Sequence, residues 1–213
     1  GGPVNWTFAG DANHNATGGA SSVNISPRTA VCTIVGATTP YDAVAHGASG
    51  TCLGANDVVL TGLDLGDSFT NVPGGTAHWT FGNDNYTPQQ SDVAITITKA
   101  TPSVTVTPYS VTFDGLPHTA TGAVSGVLGE PLTGLDLSGT THSAAGTYAT
   151  DAWTFIDATG NYTNANDSVS DTITAAGSVA TVTCPNSTEV YTGSPVTPCS
   201  ASVTGVGGLN QPL

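Results

Sequence analysis

The chain has 213 residues, with two basic side chains against 15 acidic ones and a formal net charge of -13. Charged residues make up 8% of it, where roughly 25% is usual for a globular protein. So few cations leave nothing to neutralise phosphates, which excludes an electrostatic nucleic-acid binder and a polybasic membrane-surface module. No apolar run approaches the ~18 residues of a spanning helix, so membrane insertion is not expected.

In chain order the predicted elements are strands and turns. Trp6 and Phe8 alternate with Asn5 and Thr7, the period-2 signature of a half-buried strand. Asp11-Ala12-Asn13-His14-Asn15 follows. Its Asp11, Asn13 and Asn15 present hard oxygens of the kind calcium takes. Asn and Asp are also preferred hairpin-turn residues, and the glycine and distal glutamate of an EF-hand are missing. Next come an aromatic turn at Tyr41-Asp42-Ala43, Gly-Leu-Asp-Leu at 62–65, a Trp79-Thr80-Phe81 strand, an Asn85-Tyr86-Thr87 turn and a closing strand through Val93, Ile95 and Ile97. The series then restarts with Val104 and Val106. It runs through Phe113-Asp114-Gly115, Gly-Leu-Asp-Leu at 134–137, Trp153-Thr154-Phe155 and Asn161-Tyr162-Thr163, and restarts again toward Tyr191-Thr192-Gly193. Gly, Pro, Asn and Asp clusters separate the runs, and no segment carries a sustained helical period.

The spacing of these copies, 72 to 78 residues, is that of one small β-domain. Complete repeats are expected at 27–100 and 101–177. Residues 1–26 match the last half of a repeat and 178–213 the first half. Both ends therefore cut a repeat at its middle. The expectation is a stretch of a longer array, or a subunit whose end halves complete each other across copies. Several short strands per repeat predict tandem antiparallel immunoglobulin-like β-sandwiches. The link Lys99-Ala100-Thr101-Pro102 is too short for a flexible tether, so the array is expected to be a stiff rod.

The aromatic-Asp-Gly turn, the Gly-rich middle, the Ala-Gly-Thr-Tyr stretch at 145–148 and the Asn-Tyr-Thr turn together resemble bacterial immunoglobulin-like repeats of the MBG/YDG type. Ala43 and Thr192 depart from the turn pattern in two copies. The resemblance spans essentially the whole chain. It implies tandem domains of large secreted or surface proteins, acting as spacers, stalks or adhesin modules.

Four cysteines and no methionine fit an oxidising, extracellular or cell-surface setting. Laid on the cysteine-free middle repeat, Cys32 falls at Val104 and Cys52 at Val124. Cys184 falls at Val106 and Cys199 at Ala120. These positions share faces of two antiparallel neighbours, which predicts disulfides Cys32–Cys52 and Cys184–Cys199. A zinc site would need CxxC spacing or paired histidines, and neither is present.

Seven Asn-X-Ser/Thr sequons occur, at Asn5, Asn15, Asn24, Asn85, Asn161, Asn166 and Asn186. Asn24 is weakened by the Pro27 that follows. Asn85 and Asn161 fall in matching loops, the accessible setting that glycosylation needs. His46 and His118 share a repeat position and read as packing residues without a paired carboxylate. Asp171 takes the inward position of Ile95, for which an edge location or shifted register is the simpler account. No Ser-His-Asp set or nucleophile elbow is present, and no enzymatic activity is expected. The leading expectation is a structural segment of an extracellular filament, stalk or giant surface protein, joined to other copies or further repeats head to tail. The alternative is an adhesin module binding glycan or another cell surface. Every Trp sits at a repeated, core-like position, so an exposed aromatic platform for sugars is not expected. No cofactor other than calcium is considered.

Overall fold

The computed structural model describes residues 1–184, 188–195 and 199–213. The fold is all-β. Its strands are β1 (Gly2–Phe8), β2 (Thr17–Val23), β3 (Val31–Val35), β4 (Thr38–Pro40), β5 (Ser49–Leu53), β6 (Leu63–Asp64), β7 (Gly74–Asn83) and β8 (Tyr86–Thr98). They continue as β9 (Ser103–Thr107), β10 (Ser110–Thr112), β11 (Thr121–Ser125), β12 (Leu135–Asp136), β13 (Gly146–Phe155), β14 (Ala165–Thr174), β15 (Ser178–Thr183), β16 (Ser200–Gly205) and β17 (Asn210–Pro212). Among the described residues no helix is long and apolar enough to cross a membrane.

The chain divides into two compact units. One comprises Gly1–Thr39 with Val44–Thr98, the other Pro40–Ala43 with Lys99–Leu213. The break after Thr98 falls two residues before the repeat boundary read from sequence, and the two terminal segments group with their neighbouring repeats.

In the first unit, β4-β8-β7-β6 form a four-stranded sheet, β3 pairs with β5, and β1 pairs with β2. Alternation along β7 sends Ala77, Trp79 and Phe81 inward and His78 and Thr80 outward. Trp79 and Phe81 bury against Ala30 and Cys52, with Cys32, Ile34, Leu60 and Leu63 packed around them. Truncating an aromatic in such a core costs about 3–5 kcal/mol. Cys32 and Cys52 are directly opposite in the β3–β5 ladder and are joined by a disulfide.

The second unit repeats the plan. β10-β14-β13-β12 form the larger sheet, β9 pairs with β11, and β15-β16-β17 form a third sheet. Val124, Phe155, Tyr162 and Ile173 are buried here. The likeness between the repeats reaches single hydrogen bonds. Tyr86 Oη accepts the Ala55 N–H at 2.9 Å, and Tyr162 Oη accepts the Val127 N–H at 3.1 Å. Gly62 and Gly134, which open the two Gly-Leu-Asp-Leu motifs, both have φ near +100° (98° and 113°). A Cβ there would lie about 2 Å from the Gly82 or Ile156 carbonyl oxygen (2.0 and 2.1 Å), so only glycine fits.

Cys184 is joined to Cys199. The β15–β16 register, Thr183 opposite Ser200, carries on to set them face to face. Leu213 N–H donates to Ala201 O, as Leu132 N–H does to Val124 O. Ala201 therefore stands at Val124, and Cys199 at Gly122 rather than at Ala120. Cys199 comes six residues after Gly193 where Gly122 comes seven after Gly115, so this copy is one residue shorter after its turn, not longer.

Candidate functional site

The densest group of titratable side chains lies inside the second repeat. It is best defined against its apolar counterpart in the first. Ile95 of β8 faces Gly75 of β7, and Asp171 of β14 faces Tyr148 of β13. His46 bridges Phe69 in the first repeat, and His118 bridges His142 in the second. The Thr96 N–H donates to Ala37 O, and the Thr172 N–H to Tyr109 O. Counting back from the shared Trp, Asp151 stands where Ala77 does. Thus Ala37, Phe69, Gly75, Ala77 and Ile95 become Tyr109, His142, Tyr148, Asp151 and Asp171.

These groups satisfy one another. The Tyr109 N–H donates to Asp171 Oδ1 at 2.7 Å, and Tyr109 Oη donates to Thr140 O at 3.3 Å. His142 Nε2 donates to Asp151 Oδ2 at 2.9 Å. The His142 ring stacks on Tyr148 with centroids 3.5 Å apart and planes within 3°. Asp171 is fully buried, and its Oδ2 has no hydrogen-bond partner by geometry. Burial pushes the Asp171 carboxyl up from the ordinary carboxylate range. The Tyr109 N–H pulls it down, and the neighbouring Asp151 pushes it up again. Burial, and then the Asp171 charge, raise the Tyr109 hydroxyl. The cluster thus places a buried carboxyl, Asp171, beside the Asp151–His142 pair, whose imidazole is partly exposed.

Asp171 is neither at an edge nor out of register. β14 lies between β10 and β13, and Ile173 keeps the inward place of Ile97. His118 also departs from expectation, because its Nε2 is 3.0 Å from Asp114 Oδ1. The Leu116 N–H and the His118 contact hold Asp114 below its usual range.

The remaining candidates are dispersed. Asp11 Oδ1 accepts the Asn13 N–H at 2.8 Å and meets His14 Nδ1 at 2.8 Å, closing a turn. These contacts lower the Asp11 pKa, the Asn13 N–H first. Asn15 is exposed in the same loop. Among the described residues no group of three or more His, Cys, Asp or Glu is arranged to hold a metal ion. Asn85 and Asn166 are exposed, whereas Asn161 is buried, so the matching Asn85 and Asn161 loops differ in accessibility. Asn186 lies outside the described residues. Asp64 Oδ1 accepts the Gly66 N–H at 3.0 Å, and Asp136 Oδ1 the Ser138 N–H at 2.8 Å, which gives the Gly-Leu-Asp-Leu aspartate a turn-closing role. Trp6 is exposed, contrary to the expectation that every Trp sits in a core.

Sequence reasoning found Asp171 but missed its partner Asp151. Asp151 keeps Ala77's distance from the repeated Trp and is open to a position-by-position reading; the extra residue in the irregular register between Tyr148 and Asp151 shifts Tyr148 instead. Comparison with family models and with curated proteins finds no match.

Proposed function

We propose that this chain is a non-enzymatic structural segment of an extracellular filament, stalk or giant surface protein. In this reading its immunoglobulin-like repeats, of the MBG/YDG kind, follow one another as a rod. What supports it is the detail shared by the two four-stranded sheets and their surroundings: the same strand order, the Tyr86 and Tyr162 hydroxyl bonds and the Gly62 and Gly134 turns. Copying a frame this closely supports a role that depends on geometry in every repeat, whereas a single catalytic centre needs no copy. Two disulfides support an oxidising location. The exposed Asn85 and Asn166 sequons are places where sugar would add a solubilising layer to a surface poor in charge.

Small-angle scattering on the non-reduced chain tests the rod. A radius of gyration clearly above the ~17 Å of a compact globule of this length is expected, and a value near it counts against the proposal. A glycan array is the companion measurement, since tight and selective binding to one sugar class would move the assignment to an adhesin module.

A further inference from the structure

Two surfaces are unlike anything in the complete repeats. On the β1–β2 hairpin, Trp6 faces Gly19 and Val4 faces Ser21, which is the register of Trp79 on Ser91 and Ala77 on Val93 in β7–β8. Val4, Trp6, Phe8, Val23 and Ile25 therefore stand at the places of Ala77, Trp79, Phe81, Ile95 and Ile97. The first five are 45–77% exposed and the second five 0–8%. The hairpin carries the face that packs a repeat core, and among the described residues that face is left exposed.

The β15-β16-β17 sheet carries the other half. Val182 faces Ala201 as Cys32 faces Cys52, and the Leu213 N–H donates to Ala201 O as the Leu60 N–H donates to Cys52 O. Ala180, Val182, Cys184, Ala201 and Leu213 thus occupy the places of Ala30, Cys32, Ile34, Cys52 and Leu60. In the first repeat those five residues surround Trp79 and Phe81. Val182 and Leu213 are exposed.

We infer that the apolar face of the β1–β2 hairpin is an interface whose occupant is the β15-β16-β17 sheet of a second copy of this chain. The first repeat is the template. It shows both pieces, in the registers found at the two ends, closed into one core, together with a 61–73 stretch that neither end carries. The pairing is heterologous, since each copy offers one hairpin and one sheet, and such a contact propagates head to tail. It also explains why Trp6 keeps the repeat's tryptophan on a surface that otherwise relies on Thr, Ser and Asn.

Sedimentation of the non-reduced chain across a concentration series tests this. The expected result is growth from 21.1 kDa in whole multiples of the subunit. Trp6→Asp with Phe8→Asp, and separately Val182→Asp, are each expected to leave a monomer. Thr7→Asp, on the opposite face of the same strand, is expected to keep assembly. A one-to-one mixture of the hairpin-defective and sheet-defective variants restores one intact junction and is expected to stop at a dimer. Hydrogen exchange on the wild type does not depend on any variant folding, and the β1–β2 amides are expected to gain protection as concentration rises. A monomer at all attainable concentrations, assembly unaffected by Val182→Asp, or hairpin amides whose protection ignores concentration would overturn the inference. The rod reading is tested apart from this one, by scattering on the monomeric Val182→Asp chain.

Discussion

The first repeat fills one layer of its sandwich with Ala37, Phe69, Gly75, Ala77 and Ile95, whereas the second fills it with Tyr109, His142, Tyr148, Asp151 and Asp171. The strands around the layer keep their order and pairing. The difference teaches that the frame is set elsewhere, by the Trp-Thr-Phe strand, the tyrosine hydroxyl bond and the glycine turn. The interior can then change chemistry if it changes as a set. A lone Asp at Ile95 would meet apolar neighbours. At Asp171 the Tyr109 N–H supplies a hydrogen bond to Oδ1, and the neighbouring Asp151 is itself paired with His142 Nε2. The bulge on β13 falls between Asp151 and Tyr148, whose ring stacks on His142.

The hardest way to break the comparison is to move one member alone. Ile95→Asp places an unpaired carboxylate in the apolar layer and is expected to cost about 3–5 kcal/mol, measured by urea unfolding at neutral pH. Next in size is the brace that only one of the complete repeats has. Replacing Cys32 and Cys52 by Val, the residues found at Val104 and Val124, should lower stability by about 3 kcal/mol. Hydrogen exchange should assign that loss to the first unit.

Exchanging the second repeat's pair for the first's is expected to have the opposite sign. Asp151→Ala with Asp171→Ile should stabilise by about 1–3 kcal/mol at neutral pH. The pH dependence has a fixed direction. Folding raises the Asp171 pKa, so the folded state holds a proton that the unfolded chain releases. Its stabilisation is full below the unfolded carboxylate range and is lost as pH rises through the folded value. Asp171→Asn should therefore match the wild type at low pH and overtake it as pH increases, in urea titrations run from about pH 4 to 8. The smallest effect concerns a shared feature. Asp64→Ala and Asp136→Ala each remove one exposed turn bond, and thermal melts should show small losses in melting temperature that agree between the repeats.

Much of this architecture is legible in the residues. Trp-Thr-Phe, Gly-Leu-Asp-Leu and Asn-Tyr-Thr mark strands and turns because each does a job that few residues can do. Trp and Phe supply core volume, Gly reaches a positive φ, and Tyr spans to a loop N–H. The second repeat's cluster is less legible because its members are not contiguous and the bulge shifts their spacing. His142 and Tyr148 give no signal until the strands bring their rings together. Trp6 shows the converse limit, since a core-type residue identifies the face that needs cover but not whether the cover is present.

One feature of the frame sets how a pulled chain would respond. β10 runs parallel to β14, with Ser110, Val111 and Thr112 beside Thr172, Ile173 and Thr174. The Thr172 N–H to Tyr109 O and Phe113 N–H to Thr174 O bonds flank that short ladder. A strand from early in the repeat thus lies alongside the strand just before its exit. Tension drawn through both ends slides these two strands past each other, so their hydrogen bonds bear load together in shear instead of opening one at a time. The short parallel β10–β14 seam is the place where this repeat would resist extension.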